Sequence, residues 1–257
     1  MMSHVQCKLD GAVQCIAINR PEKKNALTAE MYNALAEAVE QAEADPSVRV
    51  MLLHAVGEAF TGGNDLLDFL QKPWSGQPVP PAVRFIHAVA HAKMPIVAAV
   101  QGLAVGVGVT ILLHCDLVYA AEDAKFIMPF IDLGIVPEAA STVLLPALVG
   151  HQRAAELLML GTPLAAQRAY ELGLVNAVVA PDALLATASQ AARKLAEKPA
   201  GALLACKRLM KAANHAEVNR ALREEVVEIK ERLDSPETRE ALMAFVEKRK
   251  PDFSKFR

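Results

Sequence analysis

An α/β core followed by a tail of helices is the fold class that the sequence predicts, and three observations predict it. Strand-like and helix-like stretches alternate as far as about residue 180, and only helical patterns follow. Two glycine-rich turns, at 57–65 and 101–108, each break an apolar run just before a helical pattern resumes. The run 96–113 is apolar almost throughout, but three glycines, Gln101 and Thr110 interrupt it. It also falls short of the roughly 20 residues that a membrane span needs, so a buried strand, turn and helix is the better reading.

Composition narrows the class of function. With 257 residues the chain can bury a full core, and 53% hydrophobic against 22% charged residues fits an ordinary soluble globular protein. A net charge of -2 supplies no field for nucleic acid or an anionic membrane. Neither end carries a recognisable targeting signal, and Cys7, Cys15, Cys115 and Cys206 have no metal or redox spacing. A reducing cytoplasm is the expected setting.

The elements follow in order. Residues 4–9 and 12–19 read as a hairpin about Asp10-Gly11, which sets Cys7 opposite Gln14 and turns Cys7 and Cys15 to opposite faces. Thr28 caps a helix with the apolar stripe Met31, Leu35, Val39 and Ala42, closed by Asp45-Pro46. A buried strand over 48–56 runs into the first glycine turn and a short helix from Leu66. Residues 72–81 (KPWSGQPVPP) form a loop in which Trp74 is a lid or a cover for apolar surface. His87 and His91 share one face of a helix over 82–93, but no third ligand accompanies them and no metal site is expected.

The central stretch carries the chemistry. Strand 96–100, the turn at Gln101-Gly102 and the helix that follows leave free backbone N–H groups at the helix start. The turn at 57–65 repeats the device, and two such donors brought together could hold one developing negative oxygen. Further on, Pro137-Glu138 opens a helix over 139–145, with Glu138 a lone carboxylate in apolar company. There it either complements the helix dipole or transfers protons. Helices are then expected over 151–160, 164–172, 182–197, 199–213, 216–233 and 236–248, with a strand at 174–179. Arg193, Lys194, Lys198, Lys207, Arg208 and Lys211 read as solvated helix faces.

Four segments in this order resemble the crotonase family, the enoyl-CoA hydratase/isomerase superfamily. They are RPEKKNAL (20–27), AFTGGNDL (59–66), QGLAVGVG (101–108) and AFVEKRKP (244–251). The resemblance implies a crotonase-like ββα spiral core over 1–195 and a C-terminal helical trimerisation region over 196–257, giving a homotrimer or a dimer of trimers. It implies an acyl-CoA substrate and no metal or redox cofactor, coenzyme A being part of the substrate. Coenzyme A contacts fall on Lys24, Ala26, Gly62, Asn64, Asp65, Leu66 and Gly106, with Lys248 of a neighbouring chain near the phosphates. The oxyanion donors fall on the N–H groups of Asn64 and Val107, where relatives commonly have glycine at the second position.

The acids carry the distinction within the family. The two glutamates with which hydratases split water fall here on Thr110 and Phe130, neither of which can do that work. PFIDLGIVPEAAST (129–142) instead resembles the Δ3-Δ2-enoyl-CoA isomerase branch, whose acid matches Glu138. The reaction implied is a proton shift from 3-enoyl-CoA to 2-enoyl-CoA, with Phe130, Ile131 and Leu133 as an apolar wall. The alternatives are a hydratase or other crotonase-type enzyme on an aromatic or branched acyl-CoA, or a catalytically silent assembly or RNA-binding relative.

Overall fold

The computed structural model describes residues 4–71 and 79–256; Trp74 and most of the predicted loop lie outside them. Strands β1 (Val5–Asp10) and β2 (Val13–Ile18) form the predicted hairpin, but Asp10 pairs with Val13, so Gly11 and Ala12 make the turn. Gly11, with φ +60, supplies the positive dihedral. Cys7 therefore faces Ile16 rather than Gln14. A shift of two residues preserves side-chain parity, so Cys7 and Cys15 still point to opposite faces.

Helix α1 (Ala29–Ala44) begins as its sequence dictates, with the Thr28 hydroxyl accepting from the Met31 N–H and the predicted stripe buried. Strand β3 (Val50–Ala55), helices α2 (Leu66–Gln71) and α3 (Pro81–Ala90) and strand β4 (Ile96–Val100) follow. Next come β5 (Leu103–Val105), α4 (Val107–Thr110), a 3-10 turn over Ile111–His114, β6 (Leu117–Ala121) and β7 (Lys125–Ile127). Helices α5 (Ser141–Val149) and α6 (His151–Met159), strand β8 (Leu164–Ala165), helix α7 (Ala166–Glu171) and strand β9 (Ala177–Val179) complete the mixed part. Four helices end the chain: α8 (Leu184–Ala196), α9 (Ala200–Ala212), α10 (His215–Leu233) and α11 (Pro236–Val246).

The strands form two sheets, ordered β1-β2-β3-β4-β6-β9 and β5-β7-β8. Three times the chain leaves the first sheet, touches the second and enters a helix. It does so from β3 through a Thr61–Ala104 bridge to α2, from β4 through β5 to α4, and from β6 through β7 towards α5. This is the expected ββα spiral. The first sheet is parallel beyond the hairpin and apolar on both faces, because both faces are covered. Val50, Leu52, Val97 and Ala99 meet Leu184, Ala188 and Ala192 of α8. Met51, Leu53 and Ala98 point the other way, into the core with α1 and α3.

Other expectations also fail locally. Leu164–Ala165 is not the start of a helix but pairs antiparallel with β7, and the helix begins at Ala166. Lys207 is no solvated face: it is buried, its Nζ 2.6 Å from Asp116 and 2.8 Å from the Met94 carbonyl. Asp116 in turn accepts the Ile96 N–H, so this ion pair fastens α9 to the start of β4. Lys211 likewise donates to the Ala90 carbonyl. The tail also closes the chain's own core, for Ala221, Leu222 and Ile229 of α10 are buried against it. No helix among the described residues is long and apolar enough to cross a membrane.

Candidate active site

The two glycine turns meet through a short parallel pairing. The Thr61 N–H donates to the Leu103 carbonyl at 2.9 Å, and the Val105 N–H donates to Thr61 at 3.0 Å. Asn64 and Val107 each lie three residues past the bridged pair Thr61 and Ala104, so the two turns advance in step. Neither the Asn64 nor the Val107 N–H meets an acceptor among the described residues. Two glycines permit this approach. A Cβ at Gly102 (φ +54) would lie 1.8 Å from the Glu58 carbonyl oxygen, and one at Gly63 (φ +84) would lie 3.0 Å from that of Val105. Val107 keeps its N–H while its side chain is buried in the core.

The predicted coenzyme A residues gather round the same turns. The Gly62 N–H donates to the Lys24 carbonyl, and Leu27 pairs with both Gly63 and Asp65. This brings Lys24, Ala26, Gly62, Asn64, Asp65, Leu66 and Gly106 into one neighbourhood. Lys248 stands apart, exposed just past α11, so its assignment needs a second copy of the chain.

Side chains that the sequence reading passed over hold this loop. Asn25 is wholly buried with φ 56°, a backbone conformation asparagine tolerates better than most residues. Its amide donates to the Val56 and Ala59 carbonyls, and its Oδ1 accepts the Arg20 N–H. The Arg20 guanidinium pairs with Asp65 at 2.6 Å. Tyr32 on α1 donates its hydroxyl to the Asn64 Oδ1. An asparagine inside a lysine-rich turn was the only available signal, and it is a weak one.

The acid sits differently from expectation. Helix α5 starts at Ser141, not at Pro137-Glu138, because Ala139 and Ala140 adopt left-handed conformations with φ 61° and 54°. Glu138 therefore precedes the helix instead of occupying its first turn. Its side chain is buried, and its Oε1 has no hydrogen-bond partner among the described residues. Burial pushes its carboxyl up to about 8, and the neighbouring charge of Glu225 adds to the rise. Glu138 and Glu225 line one small cavity of about 10 Å³ with His87 and with Val83, Leu222 and Ile229.

The apolar surround thus comes from α3 and α10. Of the wall expected from Phe130, Ile131 and Leu133, only Phe130 is buried, against Gly106. Ile131 is exposed and borders a separate cavity of about 280 Å³ with Arg232, Glu237 and Phe253. Thr110 is buried with an unpartnered hydroxyl, and neither it nor Phe130 offers a carboxylate. His87 and His91 stack with centroids 5.4 Å apart, and no group of metal-ligating side chains occurs among the described residues.

Comparison with known proteins finds relatives along nearly the whole chain. The 1,2-epoxyphenylacetyl-CoA isomerase of Escherichia coli (strain K12) is 35% identical over 265 residues, covering 99% of each chain. Enoyl-CoA delta isomerase 2 of Rattus norvegicus is 32% identical over 249 residues, covering 94% of this chain and 63% of that protein. A crystal structure of an enoyl-CoA hydratase/isomerase from Pseudoalteromonas atlantica T6c superposes with a TM-score of 0.93 at 42% identity, over 98% of this chain and 100% of that one. The fold is accordingly the crotonase-like spiral with its C-terminal helices. Since the enoyl-CoA hydratase/isomerase family model also matches residues 8–256, the chain belongs to that family of acyl-CoA enzymes.

Proposed function

We propose that the protein isomerises 3-enoyl-CoA thioesters to 2-enoyl-CoA, with Glu138 as the single proton shuttle. The ionised Glu138 removes a proton from C2, and the electron pair spreads onto the thioester oxygen on one side and through the C3=C4 double bond to C4 on the other. The free N–H groups of Asn64 and Val107 donate to that oxygen as its charge develops. Glu138 then returns the proton to C4, so the double bond moves and no atom is gained or lost. Lys24, Ala26, Gly62, Asp65, Leu66 and Gly106 line the coenzyme A part of the substrate, with Lys248 supplied by a second copy in a trimer. Coenzyme A enters as part of the substrate, and the chemistry described calls on no other group.

One observation carries the reading: a buried carboxylate with an unpartnered oxygen, held at high proton affinity by burial and by the neighbouring charge of Glu225. Water addition needs a second acid, and Thr110 and Phe130 stand where the family's hydratases have theirs. The similarity to the Escherichia coli epoxyphenylacetyl-CoA isomerase favours a second reading, in which the acyl group is aromatic. Product analysis with cis-3-enoyl-CoA thioesters of several lengths, alongside phenylacetyl-derived thioesters, decides the substrate. Formation of 2-enoyl-CoA supports the proposal, with kcat/KM rising as the pH passes through about 8. Rapid 3-hydroxyacyl-CoA formation from 2-enoyl-CoA and water would overturn it.

A further inference from the structure

A second carboxylate, from the middle of α10, holds the backbone that carries Glu138. Glu225 Oε2 accepts the Ala140 N–H at 2.7 Å, while Oε1 accepts the Thr142 N–H at 3.2 Å and its hydroxyl at 2.5 Å. These donors lie at the start of α5, where N–H groups lack partners within the helix and favour negative charge. From the opposite side, His114 Nε2 donates to the Ala139 carbonyl at 2.7 Å. Two alanines in succession at positive φ cost roughly 1–2 kcal/mol each, so this segment keeps its shape because both partners hold it.

The surroundings leave Glu225 as the charge that Glu138 meets. Burial raises the Tyr32 hydroxyl well above its ordinary value, and Glu138 adds to that rise. Burial lowers His87, which faces the shared cavity, and drives His114 down to about 4, so both imidazoles are neutral near pH 7. Burial also raises Glu225, but the donors from Thr142 and Ala140 favour its ionised form. We infer that Glu225 is a positioning residue whose ionised carboxylate holds the backbone that aims Glu138 and adds to the proton affinity that burial gives it. This deepens the isomerase reading and rests on it.

The test compares pH profiles of kcat/KM for the isomerisation in the wild type, Glu225→Gln, Glu225→Asp and Glu138→Gln. Removing the charge in Glu225→Gln is expected to move the acid limb down by about one pH unit. Glu225→Asp keeps the charge, so its limb stays near the wild-type position while kcat falls, the shorter side chain no longer spanning Ala140 and Thr142. A Gln variant with lowered kcat and an unmoved limb would reduce Glu225 to a structural brace and overturn the inference. Full turnover in Glu138→Gln would instead sink the isomerase reading itself. Should Glu225→Gln not fold, infrared titration of the carboxyl bands in the wild type and Glu138→Gln serves. Two buried carboxyls ionising apart, Glu225 first, support the inference, and Glu138 ionising at the ordinary carboxylate value overturns it.

Discussion

The two halves of the candidate site are fastened by opposite means. On the oxyanion side, Asn64 and Val107 are placed by main chain against main chain, through Thr61, Leu103 and Val105, with glycines clearing the way. On the acid side, Ala139 to Thr142 is gripped by side chains, His114 from one direction and Glu225 from another. The first half is set by loop length and space, so its side chains can vary while its amides remain. The second depends on particular ionisable groups and is correspondingly exposed to pH and to single substitutions.

The largest effect that separates the halves is expected from Glu138→Gln, which removes the proposed shuttle and leaves the oxyanion turns untouched. Turnover should drop on the order of 10⁴-fold with substrate binding little changed. Val107→Pro probes the other half, because proline is tolerated at the first position of a helix such as α4 and deletes the N–H, while exchanging one buried apolar side chain for another. A loss of about 10²–10³-fold in kcat/KM is expected, and near-wild-type kinetics would remove Val107 from the proposed oxyanion pair.

Stability offers the next contrast. Glu138 binds its proton more tightly in the folded chain, at about 8, than in the unfolded one, near 4.5. Its contribution is therefore fully present below the unfolded value and is lost as pH rises through the folded one. Urea unfolding should show stability falling by up to about 1.4 kcal/mol per pH unit across that window. Glu138→Gln should flatten the slope. Asn25→Ala, which orphans the Arg20 N–H and the Val56 and Ala59 carbonyls, should cost about 3 kcal/mol in the same assay. The smallest effect belongs to Thr110→Val: the lost hydroxyl has no partner, so stability should change by less than about 1 kcal/mol and isomerisation should persist.

What the sequence disclosed divides along the same line. The Thr28 cap, the stripe on α1, the buried strand β4 and both glycine turns are local patterns, and each appears where its periodicity or turn chemistry placed it. Glu138 could be singled out as a carboxylate among apolar residues, but its backbone could not. The left-handed pair after it depends on Glu225, 85 residues from Ala140, which nothing in 129–142 announces. Lys207 escaped for the same reason, since Asp116 lies 91 residues away and a lysine on a helix face ordinarily stays wet. Strand β8 has only two residues, too few to show an alternation, so its pairing with β7 belongs to tertiary structure. In all these cases a distant partner overrode the local pattern.

The equal count of residues from the Thr61–Ala104 bridge to Asn64 and to Val107 constrains how these turns can diverge. One residue added to a single arm would carry its amide about 3.3 Å along the chain while the other stayed put. That is more than the length of a hydrogen bond, so the two proposed oxyanion donors would fall out of step. Lineages carrying this geometry are thus free to exchange letters within the arms but must conserve their spacing, and gaps in an alignment should fall outside both.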